Sequence, residues 1–221
     1  MGQSAVKTSI LTLTSEASQR VELERWRYLK SGTQFVLQPC EGVKVTLRPG
    51  WTFKGWFGIS QPSITFESKM LSKAYSLVLG RSPECAPIRY RYQQLWQRTE
   101  RSGYRPSFWE DLSGTHDRDE RALGEVPDYI VELIDDFEQH IAPMHSFENE
   151  DAFLHSLPPT YRYHGYPLQD ELMYLLARCM LNDCNAIERF TSDDSIPLGL
   201  KERIADDISL IQAAAPKLII T

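Results

Sequence analysis

The sequence predicts an α+β fold, an N-terminal antiparallel β-meander packed against C-terminal α-helices, and three observations predict it. From Thr33 onward the chain is cut into short segments rich in β-branched and aromatic residues, separated by Gly, Pro and Ser. From Pro127 onward the apolar spacing lengthens to a helical period. Strands come first and helices follow, the order in which helices cover one face of an antiparallel sheet. The 221 residues, 42% hydrophobic and 24% charged, suit one soluble domain over 1–221, sheet-rich over about 1–100 and helix-rich over about 127–221.

In chain order, residues 15–30 carry Val21, Leu23, Trp26 and Leu29 among alternating charges, a pattern that fits a short helix or a strand; it is read as a helix, broken by Ser31-Gly32. The segments TQFVL, GVKVTLRPG, WTFKGWFGIS, SITFES and AYSLVLG then read as strands of a meander. Within GVKVTLR, Val43, Val45 and Leu47 point one way and Lys44, Thr46 and Arg48 the other, the alternation of a half-buried sheet with a wet, partly basic face. The run IRYRYQQLWQRTERSGY fits a last strand, in which Ile88, Tyr90 and Tyr92 alternate with Arg89 and Arg91, or a helix; the favoured reading is a strand that passes into a helical turn near Gln93. Residues 105–126 read as a long surface connection, a kind of segment that often binds.

A helix begins at Pro127, a residue suited to the first helical position, with Asp128 favourable beside the positive helix end. Ile130, Leu133, Ile134, Phe137 and Ile141 form its apolar stripe, and Glu132, Asp135, Asp136 and Glu138 its other face. Pro143 ends it, and Ser146 is placed to cap a short helix through Leu157. After a tyrosine-rich link, residues 170–190 read as one helix with Leu172, Leu175, Leu176, Cys179 and Met180 inward and a bend near Asn182-Asp183. A last helix over 198–215 repeats Ile204, Ile208 and Ile211.

The net charge of −6 disfavours a general nucleic-acid coat, which needs a basic surface to release counterions. No run of about 18 apolar residues is present to span a bilayer. MGQSAVKTSILTLTSEASQ lacks the apolar stretch of a secretory signal, so the expected location is cytoplasmic. Cys40, Cys85, Cys179 and Cys184 form no C-x-x-C pair and read as small apolar residues in a reducing compartment.

Charge is distributed unevenly. Residues 1–100 hold 14 basic and 7 acidic side chains, whereas residues 101–221 hold 10 and 23. Residues 110–151 alone carry 14 acids against Arg118 and Arg121. Three readings fit: a solvated helix face, an internal complement to the basic half, or an acidic surface for a basic partner. Trp109 beside Glu110 and Asp111 has the composition of a protein-binding hot spot, although a loop anchor is the commoner outcome for such a residue.

Motifs for chemistry are sparse. His140, His145 and His155 lie near many carboxylates but lack the His-x-x-x-His spacing that puts two imidazoles on one helical face, so no metal is expected. No G-x-S-x-G elbow, GxGxxG or GxxxxGK[ST] occurs, and no cofactor is expected. Asp117, Asp119 and Glu120 lack the order of an EF-hand loop. Trp51, Phe53, Trp56 and Phe57 crowd one strand and read as core rather than as a stacking platform for single-stranded nucleic acid.

The layout resembles bacterial immunity proteins of polymorphic and type VI secretion toxin systems. The features that carry it are RPGWTFKGWFGIS, the segments SITFES and AYSLVLG, the tryptophan-bearing SFWEDL, and the helices after it, over about the first 160 residues. The resemblance implies a single-domain, cytosolic, non-catalytic binder of a toxin.

The favoured expectation is therefore a non-enzymatic protein that binds a basic toxin and blocks its active site, with neither nucleic acid nor membrane as partner. Its contact residues would be Trp109, Glu110, Asp111, Asp117, Asp119, Glu120, Asp128, Glu132, Asp135, Asp136 and Glu138. The alternative is a small-molecule binder or hydrolase with a site between sheet and helices, using Arg89, Tyr90, Arg91, Tyr92 and a carboxylate of residues 117–128.

Overall fold

Helix α1 (Gln3–Arg20) buries Ile10, Thr14 and Ala17, which recur at i, i+4 and i+7 on one face. The Thr14 hydroxyl donates 2.7 Å back to the Ile10 carbonyl, so its burial leaves no polar group unmet. In the computed structural model, residues 3–20, 25–52, 58–59, 62–83, 88–91, 124, 126–157, 162–163, 166–167, 171–183 and 185–219 are described. Over 15–30 the structure corrects the expected helix: helix ends at Arg20, and β1 (Trp26–Leu29) is a strand. Trp26 and Tyr28 alternate with exposed Arg27, and β1 pairs antiparallel with β2 (Gln34–Cys40) in the register Trp26↔Leu37 to Leu29↔Gln34. Cross-strand pairing of apolar residues thus prevails over the local helical reading.

Strand β3 (Val43–Arg48) buries Val43, Val45 and Leu47 as its alternation predicts, but Thr46 on the other face is also buried. Lys44 stays exposed and pairs with Glu67 at 2.6 Å. WTFKGWFGIS is not one strand: β4 (Trp51–Thr52) pairs antiparallel with β5 (Gly58–Ile59), Trp51 opposite Ile59, and residues 53–57 lie outside the described residues. β6 (Ser63–Ser68) and β7 (Ile88–Arg91) complete a five-stranded sheet of order β1-β2-β3-β6-β7. The fold is α+β, an antiparallel sheet in the N-terminal half followed by helices.

AYSLVLG is the largest departure from the expected meander, because it belongs to helix α2 (Lys69–Leu79). Leu71, Ala74, Tyr75 and Leu79 are buried at helical spacing, which leaves Leu77 77% exposed. Ser68, the last residue of the expected strand SITFES, ends β6 and is also the N-cap of α2, where its hydroxyl accepts from the Leu71 amide at 3.1 Å. Gly80, at φ 67°, closes the helix in the left-handed conformation.

Helix α3 (Val126–Asp136) continues through a π turn (Phe137–Ile141) and a 3₁₀ turn (Ala142–Met144) that holds Pro143. All five residues of its expected apolar stripe are buried. Helix α4 (Glu150–His155) is capped by Asn149, whose side chain accepts from the Ala152 amide at 2.8 Å, and not by Ser146. A short hairpin, β8 (Arg162–Tyr163) with β9 (Tyr166–Pro167), occupies the tyrosine-rich link. The helix expected over 170–190 is two helices, α5 (Glu171–Met180) and α6 (Ala186–Ser192). The break falls at Asn182, at φ 57°, a conformation Asn tolerates better than most side chains. The last helix is likewise divided into α7 (Leu198–Arg203) and α8 (Ala205–Ala214) at buried Ile204.

Contacts gather into two compact units. The first holds the described residues of 1–39, 45–64 and 90–144. Its core sets α1 against α3 and stands Trp26 edge-on to Phe137, with centroids 5.2 Å apart at 85°. The second holds the described residues of 40–44, 65–89 and 145–221. There α2, α5 and α8 pack together, and Phe66, Phe147 and Phe153 stack within 6.3 Å of one another around His145. Two ionic clips support this unit: Arg81 makes a two-pronged contact with Asp207 of α8, and Asp183 accepts from Arg178 and Arg189 across the α5–α6 break.

Candidate protein-binding surface

Helix α3 is fixed from within. Ile130, Leu133 and Ile134 are buried, Tyr129 packs against Trp51 with ring centroids 5.4 Å apart and planes tilted by 56°, and the Tyr129 hydroxyl donates to the Pro49 carbonyl at 2.9 Å. Asp128, Glu132 and Asp135 follow at i, i+4 and i+7 and therefore share the opposite face, where all three are exposed. The result is an acidic row on a helix whose inner face is held by core packing.

Asp136 is not part of that row. It was expected beside Glu132 and Asp135, but one residue further along an α-helix turns the side chain about 100°, and Asp136 is only 6% exposed. Glu138 is half-buried: its carboxylate accepts from Trp26 Nε1 at 3.2 Å and pairs with Arg25 at 3.5 Å. It therefore complements the N-terminal half internally. Trp109, Glu110, Asp111, Asp117, Asp119 and Glu120 lie outside the described residues. The strand of the alternative site exists as β7, whereas Tyr92 and residues 117–123 and 125 lie outside the described residues.

Another acid of the segment has a structural task that spacing did not reveal. Glu150 accepts from the Ser68 hydroxyl at 2.7 Å and from the Met70 amide at 2.6 Å, so it caps the first turn of α2. Gly42 makes room for it: a Cβ there would collide with the Glu150 carboxylate, and its φ of +86° is one that other residues rarely adopt. The nearby Cys40 thiol is pushed up in pKa by burial and then by the Glu150 charge.

Three other titrating groups owe their shifts to structure. Burial among aromatic rings lowers His145 to about 4, and its Nδ1 lies 3.3 Å from Ser156 Oγ. The Arg189 hydrogen bond, with help from Arg178, holds Asp183 below the ordinary carboxylate range. Burial raises Tyr28, whose hydroxyl has no hydrogen-bond partner among the described residues.

Among the described residues, no group of three or more His, Cys, Asp or Glu side chains is placed to hold a metal ion. Cys40 is a free thiol, Cys179 is buried, and Cys85 and Cys184 lie outside the described residues. None of the described helices is long and apolar enough to cross a membrane. In the second unit a cavity of about 630 Å³ opens among α5, α6 and the C-terminal segment, a feature without a sequence motif because its lining comes from separated helices. Comparison with protein-family models, curated proteins and solved structures finds no match.

Proposed function

We propose that the chain is a non-catalytic binding protein that neutralises a basic toxin by laying an acidic surface over its active site, in the manner of an immunity protein. The observation that carries this reading is the row Asp128, Glu132 and Asp135, exposed on one face of a helix whose other face is locked into a core. A pre-set row of carboxylates speeds encounter with a basic patch and orients it without an ordering cost in the helix itself. The expected contact extends to the charge-rich residues 109–120, where Trp109 would supply an apolar anchor inside the charged rim.

Co-expression with the product of the adjacent open reading frame tests the proposal. The native chain should protect cells from that product, and the variant D128K/E132K/D135K should fail to protect while remaining folded. Equal protection by the folded variant would remove the acidic row from the mechanism. Absence of any complex between the two purified proteins would remove the toxin reading.

A further inference from the structure

The cavity in the second unit has one buried side and one open side. Cys179, 5% exposed, and Ile187 line the buried side. Pro216 and Ile219 of the C-terminal segment, both exposed, add an apolar wall, and the exposed polar residues Asn182, Glu188 and Gln212 stand at the open side. At about 630 Å³ the volume falls in the range that encloses a small organic molecule. Among the described lining residues, Glu188 is the one with a charged side chain.

This distribution is that of an amphipathic site, apolar inside and anionic at the rim. We infer that the cavity binds a small molecule with an aliphatic body and a protonated amine, the body against Ile187 and Ile219 and the ammonium at Glu188. The Thr191 hydroxyl, also in the lining, is turned to its own helix, donating to the Ile187 and Glu188 carbonyls at 3.0 and 3.1 Å. It therefore adds little polarity to the wall. Lys201 Nζ donates to the Thr191 carbonyl at 2.7 Å, which ties that ammonium to the α6 backbone. Glu188 belongs to the lining and Lys201 is not among the described lining residues, which favours a cationic head.

The test uses primary alkylamines of six, eight and ten carbons below their micelle-forming concentrations, with octanol and octanoate as head-group controls. Calorimetry reads affinity, and mass spectrometry reads iodoacetamide alkylation of the Cys179 peptide. Affinity for the amines should rise about fourfold per methylene, and octanoate should bind at least tenfold more weakly than octylamine. Octylamine should slow Cys179 alkylation. Glu188→Gln should erase the preference for octylamine over octanol, and Gln212→Trp, at an exposed position, should block the mouth and abolish binding. The inference is overturned by any of four results: no saturable binding, affinity independent of chain length, octanoate equal to octylamine, or binding unchanged in Gln212→Trp.

Discussion

His145 makes stability depend on pH in a window where an ordinary surface side chain would not. Its ring sits 4.8 Å from Phe66 and 5.7 Å from Phe153 by centroids, and burial there lowers its pKa from 6.5 to about 4. The neutral ring is native, while the unfolded chain binds a proton already near pH 6.5. Between those two values the unfolded state holds more protons, so stability rises with pH across the window. The full contribution is present above about pH 6.5 and is lost progressively as pH falls toward 4. A difference of that size corresponds to about 3 kcal/mol, with a limiting slope of about 1.4 kcal/mol per pH unit. His145→Phe keeps an aromatic ring in the cluster and removes the titration, at the cost of a 3.3 Å contact with Ser156. Urea unfolding of both proteins from pH 4 to 7.5 isolates the effect, because the carboxylates common to both cancel. The native protein should lose up to about 3 kcal/mol relative to His145→Phe on going from pH 7 to 4. A difference that stays constant with pH, or that grows in the native protein's favour at low pH, would refute the account of a buried neutral imidazole.

Other predictions concern the backbone and the carboxylates with structural tasks. Gly42→Ala should destabilise the chain by about 1–3 kcal/mol, since it meets the Glu150 carboxylate and sits at positive φ; thermal unfolding reads the loss. Thr33 is a β-branched residue at φ 46°, so Thr33→Gly should raise stability by about 1 kcal/mol, measured as a shift in denaturant midpoint. Asp183→Asn should weaken the Arg178–Arg189 clip and lower stability by about 1–2 kcal/mol above the carboxylate's titration range. Because the folded pKa of Asp183 is depressed, the native protein's advantage over Asp183→Asn should shrink as pH falls through that range, as followed by urea unfolding.

Period and composition made much of the fold legible. Val43, Val45 and Leu47 show a strand because alternate positions must face one side, and Ile130 to Ile141 show a helix because five apolar residues fall on one stripe. Two kinds of information were hidden. Ser68 reads as the last residue of a strand until Glu150, 82 positions away, joins it at the start of α2; a cap made from distant sequence leaves no local spacing. Trp26 to Leu29 fits helix or strand by local pattern, and β2 supplies the partner that decides for strand. The acidic segment was legible as a sum of charges but not as a direction. Asp136 turned inward, Glu138 found Trp26, and Glu150 found a helix end, so the exposed row is smaller than the composition suggests.

On the proposed function, the exposed carboxylates of α3 steer a basic protein partner. Stopped-flow association with the purified product of the adjacent open reading frame, over ionic strengths from about 20 to 500 mM, tests it most directly. The native chain should associate at least tenfold faster at the low end than at the high end, and D128K/E132K/D135K should be slower at low salt and nearly insensitive to it. Association that is equally fast and equally salt-dependent in the folded variant would contradict the claim.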